Sequence, residues 1–424
     1  MSQNIPALDI YLGLSFVGKL FSDKATLSFA YDADYVRGPQ AVKLSASLPL
    51  REEPFDHTVT APYFSGLLPD EDVRRRVARY LRISEKNTFA LLREIGGECS
   101  GAVSVYPEGV VPHAPSEQSY LVLEEDEADD ILTSLDKRPL LVGEDDIRIS
   151  GAGAQDKLMV AFVDGKMAIP KHNTPSTHII KPPIRDLEGS VYNELFCMRL
   201  AQAVGLPVPH TEVYWVKDKP YYLVERYDRK KGPDGLVTRL HQEDFCQALH
   251  LPPEMKYEDE GGPTIVQCFK LLDGRIAEGV MAGANKLTLL RGMIFNFLIG
   301  NGDAHGKNFS LLYKGESEEL APFYDLLNTI VYHNAFKAKM AMKVSGKYKF
   351  REVRMDHWTR LAKTLGLREE FVAKQVHGLW NDVARSAPVL MSELNAKPET
   401  ASPIYEKIVG SIARIHQQLD GESS

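Results

Sequence analysis

The sequence predicts an α+β protein of two lobes preceded by a small amino-terminal α+β subdomain, and three observations carry that prediction. Residues 8–50 alternate apolar and polar side chains in segments such as "LDIYLG" and "LSFAYD", the period-two signature of half-buried strands. Between 146 and 228, strand-like segments surround a single run with helical spacing. After 229 a strongly apolar helical run, "NKLTLLRGMIFNFLIG", opens onto the polar loop "NGDAHGKN", and the carboxy-terminal lobe is expected to be mainly helical.

Length and charge set the outer limits. A chain of 424 residues can bury a sizeable core and divide into about two or three domains. A formal net charge of −8 excludes a protein that grips nucleic acid over its whole surface. No stretch reaches the length and apolarity of a membrane span, and "MSQNIPALDI" lacks the basic start and apolar centre of a signal peptide. A cytoplasmic protein is expected. Cys99, Cys197, Cys246 and Cys268 are scattered without a C-x-x-C pair, which excludes a zinc ribbon and predicts reduced, partly buried thiols.

The elements follow in order. Residues 1–110 form the amino-terminal unit, in which "PYFSGLLPDEDVRRRVARYL" reads as a loop feeding a helix. Residues 111–145, with the Pro-rich "YPEGVVPHAPSEQ" nearby and the acidic "LEEDEADDILTSL", read as a linker whose acids begin a solvated helix, where carboxylates favour the positive end of the dipole. Residues 146–228 form the sheet lobe. "DDIRIS" and "KLMVAFVDGKMAIP" read as strands, the latter a hairpin about Asp164-Gly165. Between them "SGAGAQD" is either a plain turn or a loop whose amides cover phosphates, since Gly151 and Gly153 leave the backbone open to approach.

"HIIK" reads as a strand stopped by Pro182 and Pro183, and Val191 to Val204 as a helix. Lys181 closes that strand and Glu194 sits on that helix, the arrangement in which protein kinases hold a lysine on the α- and β-phosphates. "KPYYLVERYDRKKG" is a strand running into a charged segment, the place of an interlobe hinge, where backbone groups near Glu225 and Tyr227 would meet an adenine.

Residues 229–424 form the helical lobe. Leu290, Met293, Ile294, Phe297 and Leu298 share a helical face and Gly300 supplies the stop. The next loop sets Asp303 and Asn308 five residues apart, a spacing open to three readings: a metal site, a phosphoryl-transfer loop or a polar turn. "FSLLY", "KGESEE" and "LAPFY" then read as a hairpin. Because a hairpin returns the chain to its origin, Asn308 and Asp325 come together as two hard oxygen ligands suited to magnesium. The order strand lysine, hinge, D-x-x-x-x-N and the Asp of "YDL" is that of protein kinases, so a two-lobed protein-kinase-like fold is expected. Asp303 would accept the proton of the attacking hydroxyl, Asn308 and Asp325 would bind the metal, and Lys307 or His305 would offset charge on the transferring phosphoryl group. "KAKMAMKVSGKYKF" at 337–350 reads as a lysine-protected edge strand.

The segments "ISGAGAQDK", "HIIKPP", "VERYDR", "NGDAHGKNFSLL" and "APFYDL" resemble those of the HipA family, the serine/threonine kinase toxins of bacterial toxin–antitoxin pairs, and the resemblance covers the whole chain. It implies a HipA-like fold and the use of ATP with Mg2+. On this resemblance, ATP would be bound by Gly151, Ala152, Gly153, Ala154, Gln155, Asp156, Lys157, Lys181, Glu225, Arg226, Tyr227, His305, Gly306, Lys307, Asn308, Tyr324 and Asp325. Ser150 would be the site of autophosphorylation that switches the toxin off. The implied partners are a HipB-like antitoxin dimer, operator DNA reached through the antitoxin complex, and a protein substrate, an aminoacyl-tRNA synthetase such as the glutamyl enzyme. The H-R-D and A-P-E words of other kinases are missing, so control by a phosphorylated activation loop does not carry over. A small-molecule phosphotransferase and a catalytically silent co-repressor remain as the two other classes.

Overall fold

The computed structural model describes residues 5–113, 118–144, 146–332 and 338–419. The alternating segments at the start become a four-stranded antiparallel sheet in the order Thr26–Tyr31, Ser15–Asp23, Ala7–Leu12, Val103–Pro107. Its apolar face is covered by the helices His57–Gly66, Glu71–Leu81 and Thr88–Ile95. "PYFSG", expected as loop, is the end of the first of these helices, begun by Asp56, whose carboxylate accepts from the amides of Thr58 and Val59.

The second sheet has six strands in the order Ser119–Val122, Lys166–Lys171, Leu158–Val163, His178–Lys181, Lys219–Glu225, Thr211–Val216. The Asp164-Gly165 hairpin forms as read, both residues adopting positive φ, as a tight two-residue turn requires. Two expectations fail here. Residues 111–145 are not a simple linker, because Ser119–Val122 pairs with Lys166–Lys171 at the sheet edge, although the acidic stretch makes the helix Glu125–Thr133 as read; residues 114–117 and 145 lie outside those described. "DDIRIS" is not a strand either. Only Ile149 makes a bridge, to Glu98, because this segment runs along the amino-terminal subdomain instead of entering the sheet.

The remaining chain is mainly helical, with Ile265–Ala277, Ala284–Leu298, Met355–Thr364, Glu369–Asn395 and Ile404–Leu419 around a short sheet of Gln242–Asp244, Ser310–Lys314 and Ser317–Leu320. The basic stretch near 337–350 is not a solvated edge. It folds as the hairpin Lys339–Val344 with Lys347–Lys349, whose Met340, Ala341, Met342 and Val344 are buried while Lys339 and Lys343 pair with Asp259 and Glu258; Lys337 lies outside the described residues. All four cysteines are buried and free. Among the described residues no helix is long and apolar enough to cross a membrane.

Two apolar cores result. One joins the amino-terminal subdomain to the six-stranded sheet, placing Leu68, Ile95 and Val105 with Leu158, Val160, Ile180 and Leu223. The other fills the helical lobe and includes Leu195, Phe196 and Leu200 of the helix Ser190–Ala203. Ala284–Leu298 runs through this second core and is stopped as expected: Gly300 takes φ 72°, its amide donates to Phe297 O (3.0 Å) and the Asn301 amide to Asn296 O (2.8 Å), the paired bonds of a Schellman cap. Midway along the same helix Gly292 abuts the ring of Phe323, and an added Cβ would overlap it. Gly292→Ala is therefore expected to lower stability by about 1–3 kcal/mol in chemical denaturation, despite alanine's better helix propensity.

Candidate active site

A cleft of about 1060 Å³ lies between the sheet and the helical lobe. Lys181 ends its strand there with its side chain buried. Its ammonium meets Glu194 Oε1 at 2.8 Å and also contacts Asp325 Oδ1. Burial opposes a charge on this lysine, yet the carboxylates of Asp325 and Glu194 outweigh it and hold Lys181 above its ordinary range. The two acids are held apart in turn. Burial pushes Glu194 up to about 7, whereas the nearby ammonium groups of Lys181 and Lys157 overcome burial and bring Asp325 down to about 2. Asp325 sits in left-handed backbone, φ 51°, a conformation that a non-glycine residue adopts only when its surroundings fix it.

The loop after the capped helix is tied by a chain of buried amides. Asn296 accepts from Asn301 (2.7 Å), Asn301 accepts from the Asp303 amide (3.0 Å), and Asn308 Nδ2 donates to Asp303 O (2.8 Å). That last bond uses the donor atom of Asn308 and leaves its carbonyl oxygen as a free acceptor. Tyr257 donates its hydroxyl to Asp303 Oδ1, which leaves Oδ2 for another donor. His305 packs edge-on against Tyr257, with ring centroids 5.0 Å apart, and burial lowers its pKa.

Lys307 was expected to face a phosphoryl group. Here it is buried among Asp70 Oδ1 at 3.3 Å, Gly66 O at 3.4 Å and Asp244 Oδ2 at 3.6 Å.

The glycine-rich loop is pinned at several points. Gly153 O accepts from the Asp70 amide (3.1 Å), Gln155 donates to Pro182 O (3.3 Å), and Asp156 pairs with Arg76 (2.7 Å). Lys157 reaches back to Ala152 O (2.5 Å), and burial lowers it to about 8. Ala152, Gly153, Ala154, Gln155, Asp156 and Lys157 line the cleft with Lys181, Glu225, Arg226, Tyr227, Asp303, His305, Lys307, Asn308, Tyr324 and Asp325. Three predicted residues do not line it. Gly151 packs against Met159 and Leu140, Gly306 against Pro263 and Cys246, and the hydroxyl of Ser150 is buried on Leu67 O.

At the hinge, the amides of Glu225 and Arg226 donate inward, to His210 O and Thr177 O. The Arg226 side chain turns from the cleft into a buried cluster: Arg226 and Arg229 pair with Asp228 at 2.8 and 3.0 Å and with Glu98 at 3.3 and 2.9 Å. Several cleft residues escaped the sequence reading, namely Asp70, Arg76, Asp244, Lys256 and Tyr257. Asp70 lies in the segment read only as a loop feeding a helix, and the partners that bring it and Arg76 into the cleft are 80 or more positions away. Only "KYEDEGG" at 256–262, an aromatic among charges in a glycine-ended turn, carried a signal that could have been used.

Acid should reveal the hinge cluster. Burial disfavours the Glu98 carboxylate, but the flanking arginines reverse this and bring it from 4.5 to about 2. A carboxylate whose folded pKa lies below its unfolded one stabilises the fold above the unfolded value and loses that contribution as pH falls, here from about 4.5 to about 2. Glu98→Gln should cost roughly 3–5 kcal/mol at neutral pH, because two buried arginines lose a shared carboxylate. Its stability should also fall less steeply over that acid range, as read by circular dichroism.

Comparison with known proteins gives a consistent neighbourhood. The HipA-like C-terminal domain matches residues 149–388 and the HipA N-terminal domain matches residues 8–106. Y4mE of Sinorhizobium fredii, a candidate kinase, is 40% identical over 395 residues, covering 92% of this chain and 93% of that protein. The serine/threonine-protein kinase toxin HipA of Shewanella oneidensis is 30% identical over 358 residues, covering 80% and 79%. Among solved structures, the Shewanella oneidensis MR-1 complex of HipA, HipB and operator DNA superposes with a TM-score of 0.82 at 24% identity, covering 98% of this chain and 97% of its counterpart.

Proposed function

The chain belongs to the HipA family, and from that premise we propose that it is a serine/threonine protein kinase toxin that transfers the γ-phosphate of ATP to a serine of a protein. One observation carries the proposal: Lys181, Glu194 and Asp325 meet in the cleft that also holds Asp303 and Asn308. In this reading Lys181 binds the α- and β-phosphates and Glu194 keeps its ammonium in place. The loop 151–156 covers the phosphates and Asp303 Oδ2 accepts the proton of the attacking serine, while Lys307, its charge met by Asp70 and Asp244, lines the cleft at the same loop as Asp303. With the amides of Glu225 and Arg226 already engaged, the adenine would be read by carbonyls of the hinge and by the main chain of Tyr227.

Mg2+ suits the donor set. Asp325 offers a carboxylate kept ionised, and Asn308 offers an amide oxygen whose nitrogen is engaged elsewhere, and hard oxygens are what this ion takes. When bound, the ion would neutralise charge on the phosphates.

The solved complex of the Shewanella protein supports a HipB-like antitoxin and operator DNA as partners here, and co-repression of the operon rests on family resemblance. An aminoacyl-tRNA synthetase as substrate rests on family resemblance. So does autophosphorylation of Ser150, which requires that segment to leave the Leu67 carbonyl it now contacts. A phosphate there would bring roughly −2 charge into a loop shaped for anions and weaken ATP binding.

Three outcomes are expected. Asp303→Asn and Asp325→Ala should each keep the fold and lose at least about 10²-fold in phosphoryl transfer, with labelled ATP marking a discrete protein band in lysate only for the wild type. Normal transfer in either variant would remove the kinase reading, and label confined to small molecules would favour the other phosphotransferase class. Co-purification with the products of neighbouring genes should yield a stable antitoxin complex. Mass spectrometry after incubation with ATP and magnesium should find phosphate on Ser150, and the phosphorylated form should bind ATP more weakly.

A further inference from the structure

Asp70 immediately precedes the helix Glu71–Leu81, where an aspartate ordinarily accepts hydrogen bonds from the helix's own first amides. Its side chain makes none. The carboxylate, only 6% exposed, instead faces two ammonium groups of the helical lobe, Lys307 at 3.3 Å and Lys256 at 3.5 Å. Its Oδ1 is buried with no hydrogen bond of its own. The chain around it makes further contacts with both sides of the cleft. Gly66 O is 3.4 Å from Lys307, Leu67 O takes the Ser150 hydroxyl, and the Asp70 amide donates to Gly153 O. A five-residue stretch of the amino-terminal subdomain therefore touches the glycine-rich loop and the catalytic loop at once.

We propose that Asp70 is a positioning residue for phosphoryl transfer: its carboxylate sets Lys307 at the catalytic loop while its main chain, with residues 66–69, registers the glycine-rich loop above it. The inference rests on the kinase reading of the same cleft. The three oxygens around Lys307 stand at 3.3 to 3.6 Å, so the ammonium is located by charge and not locked by short hydrogen bonds. Removing one charge would let it drift towards Asp244. Neutralising Asp70 does not strand either lysine, because Lys307 keeps Asp244 and Lys256 keeps Glu71 at 2.8 Å. A neutral variant is thus expected to fold.

The test uses the full chain with Asp70→Asn and Asp70→Ala. Three quantities are measured: Mg-ATP affinity by calorimetry, transfer rate to protein at saturating ATP, and hydrogen exchange of the amides at 150–156 and 303–308. The expected result is a rate about 10- to 100-fold lower, ATP affinity within about twofold of wild type because Lys181 is untouched, and faster exchange at 150–156. An unchanged or increased rate overturns the proposal. So does a rate that falls only in step with ATP affinity and thermal midpoint, which would mark Asp70 as a general support of the fold. If the wild type transfers no phosphate, the kinase reading fails on its own account. The exchange measurement then still decides whether Asp70 registers the loop, and unaltered exchange would refute it.

Discussion

A single ammonium group organises the cleft. Lys181 terminates a central strand of the six-stranded sheet, its first partner Glu194 rides on a helix packed into the other lobe's core, and its second partner Asp325 follows the hairpin that leaves the loop at 301–308. Burying a lysine this completely is costly unless opposite charge meets it. Strand, helix and hairpin are therefore each held to positions that bring a carboxylate within reach. Glu194 and Asp325 repel one another; burial lets Glu194 titrate near neutrality, while Lys181 and Lys157 outweigh burial at Asp325 and keep it charged. The strained backbone of Asp325 follows from the same demand, since its carboxylate must turn inward where the chain is turning away.

The amino-terminal subdomain is less of an appendage than its compact sheet suggests. Its apolar residues and those of the six-stranded sheet form one continuous core, while polar ties link it to the hinge through Glu98 and to the short sheet of the helical lobe through Glu243. The Glu243 carboxylate accepts from the Ala46 amide at 2.8 Å and contacts the hydroxyl of Ser45. Burial pushes that acid up to about 7, its hydrogen-bond donors opposing the shift. The helix carrying Glu194, by contrast, shares its apolar contacts with the helical lobe. The mechanical halves thus differ from the halves that sequence order suggests.

Much of this was legible because the relevant signals are local. The strand His178–Lys181 ends where two prolines forbid pairing, the helix Ser190–Ala203 shows its apolar spacing, and Gly300 marks the end of a helix as only a residue free to take positive φ can. Asp303, Asn308 and Asp325 were found by their order along the chain. What was not legible depended on contacts distant in sequence. Asp70 carries no signal until the fold brings Lys307 beside it, and Lys307 reads as a cation awaiting a phosphoryl group until Asp70 and Asp244 appear. The segment Ser119–Val122 lay in a stretch rich in proline and acids, and only the exposed edge of Lys166–Lys171 makes it a strand. Arg226 looked like a hinge residue facing ligand, but its guanidinium is taken by Asp228 and by Glu98, the latter far earlier in the chain.

The shared core has a consequence for the way the chain is made. The amino-terminal sheet and its covering helices are complete once Val103–Pro107 has left the ribosome, yet the core they belong to also takes in Leu158, Val160 and Ile180 of the second sheet. At the usual pace of synthesis those residues arrive on the order of ten seconds later, so the shared core closes only after the first sheet has been made. The catalytic loop follows later still. A growing chain consequently carries its first sheet well before it carries both walls of the cleft.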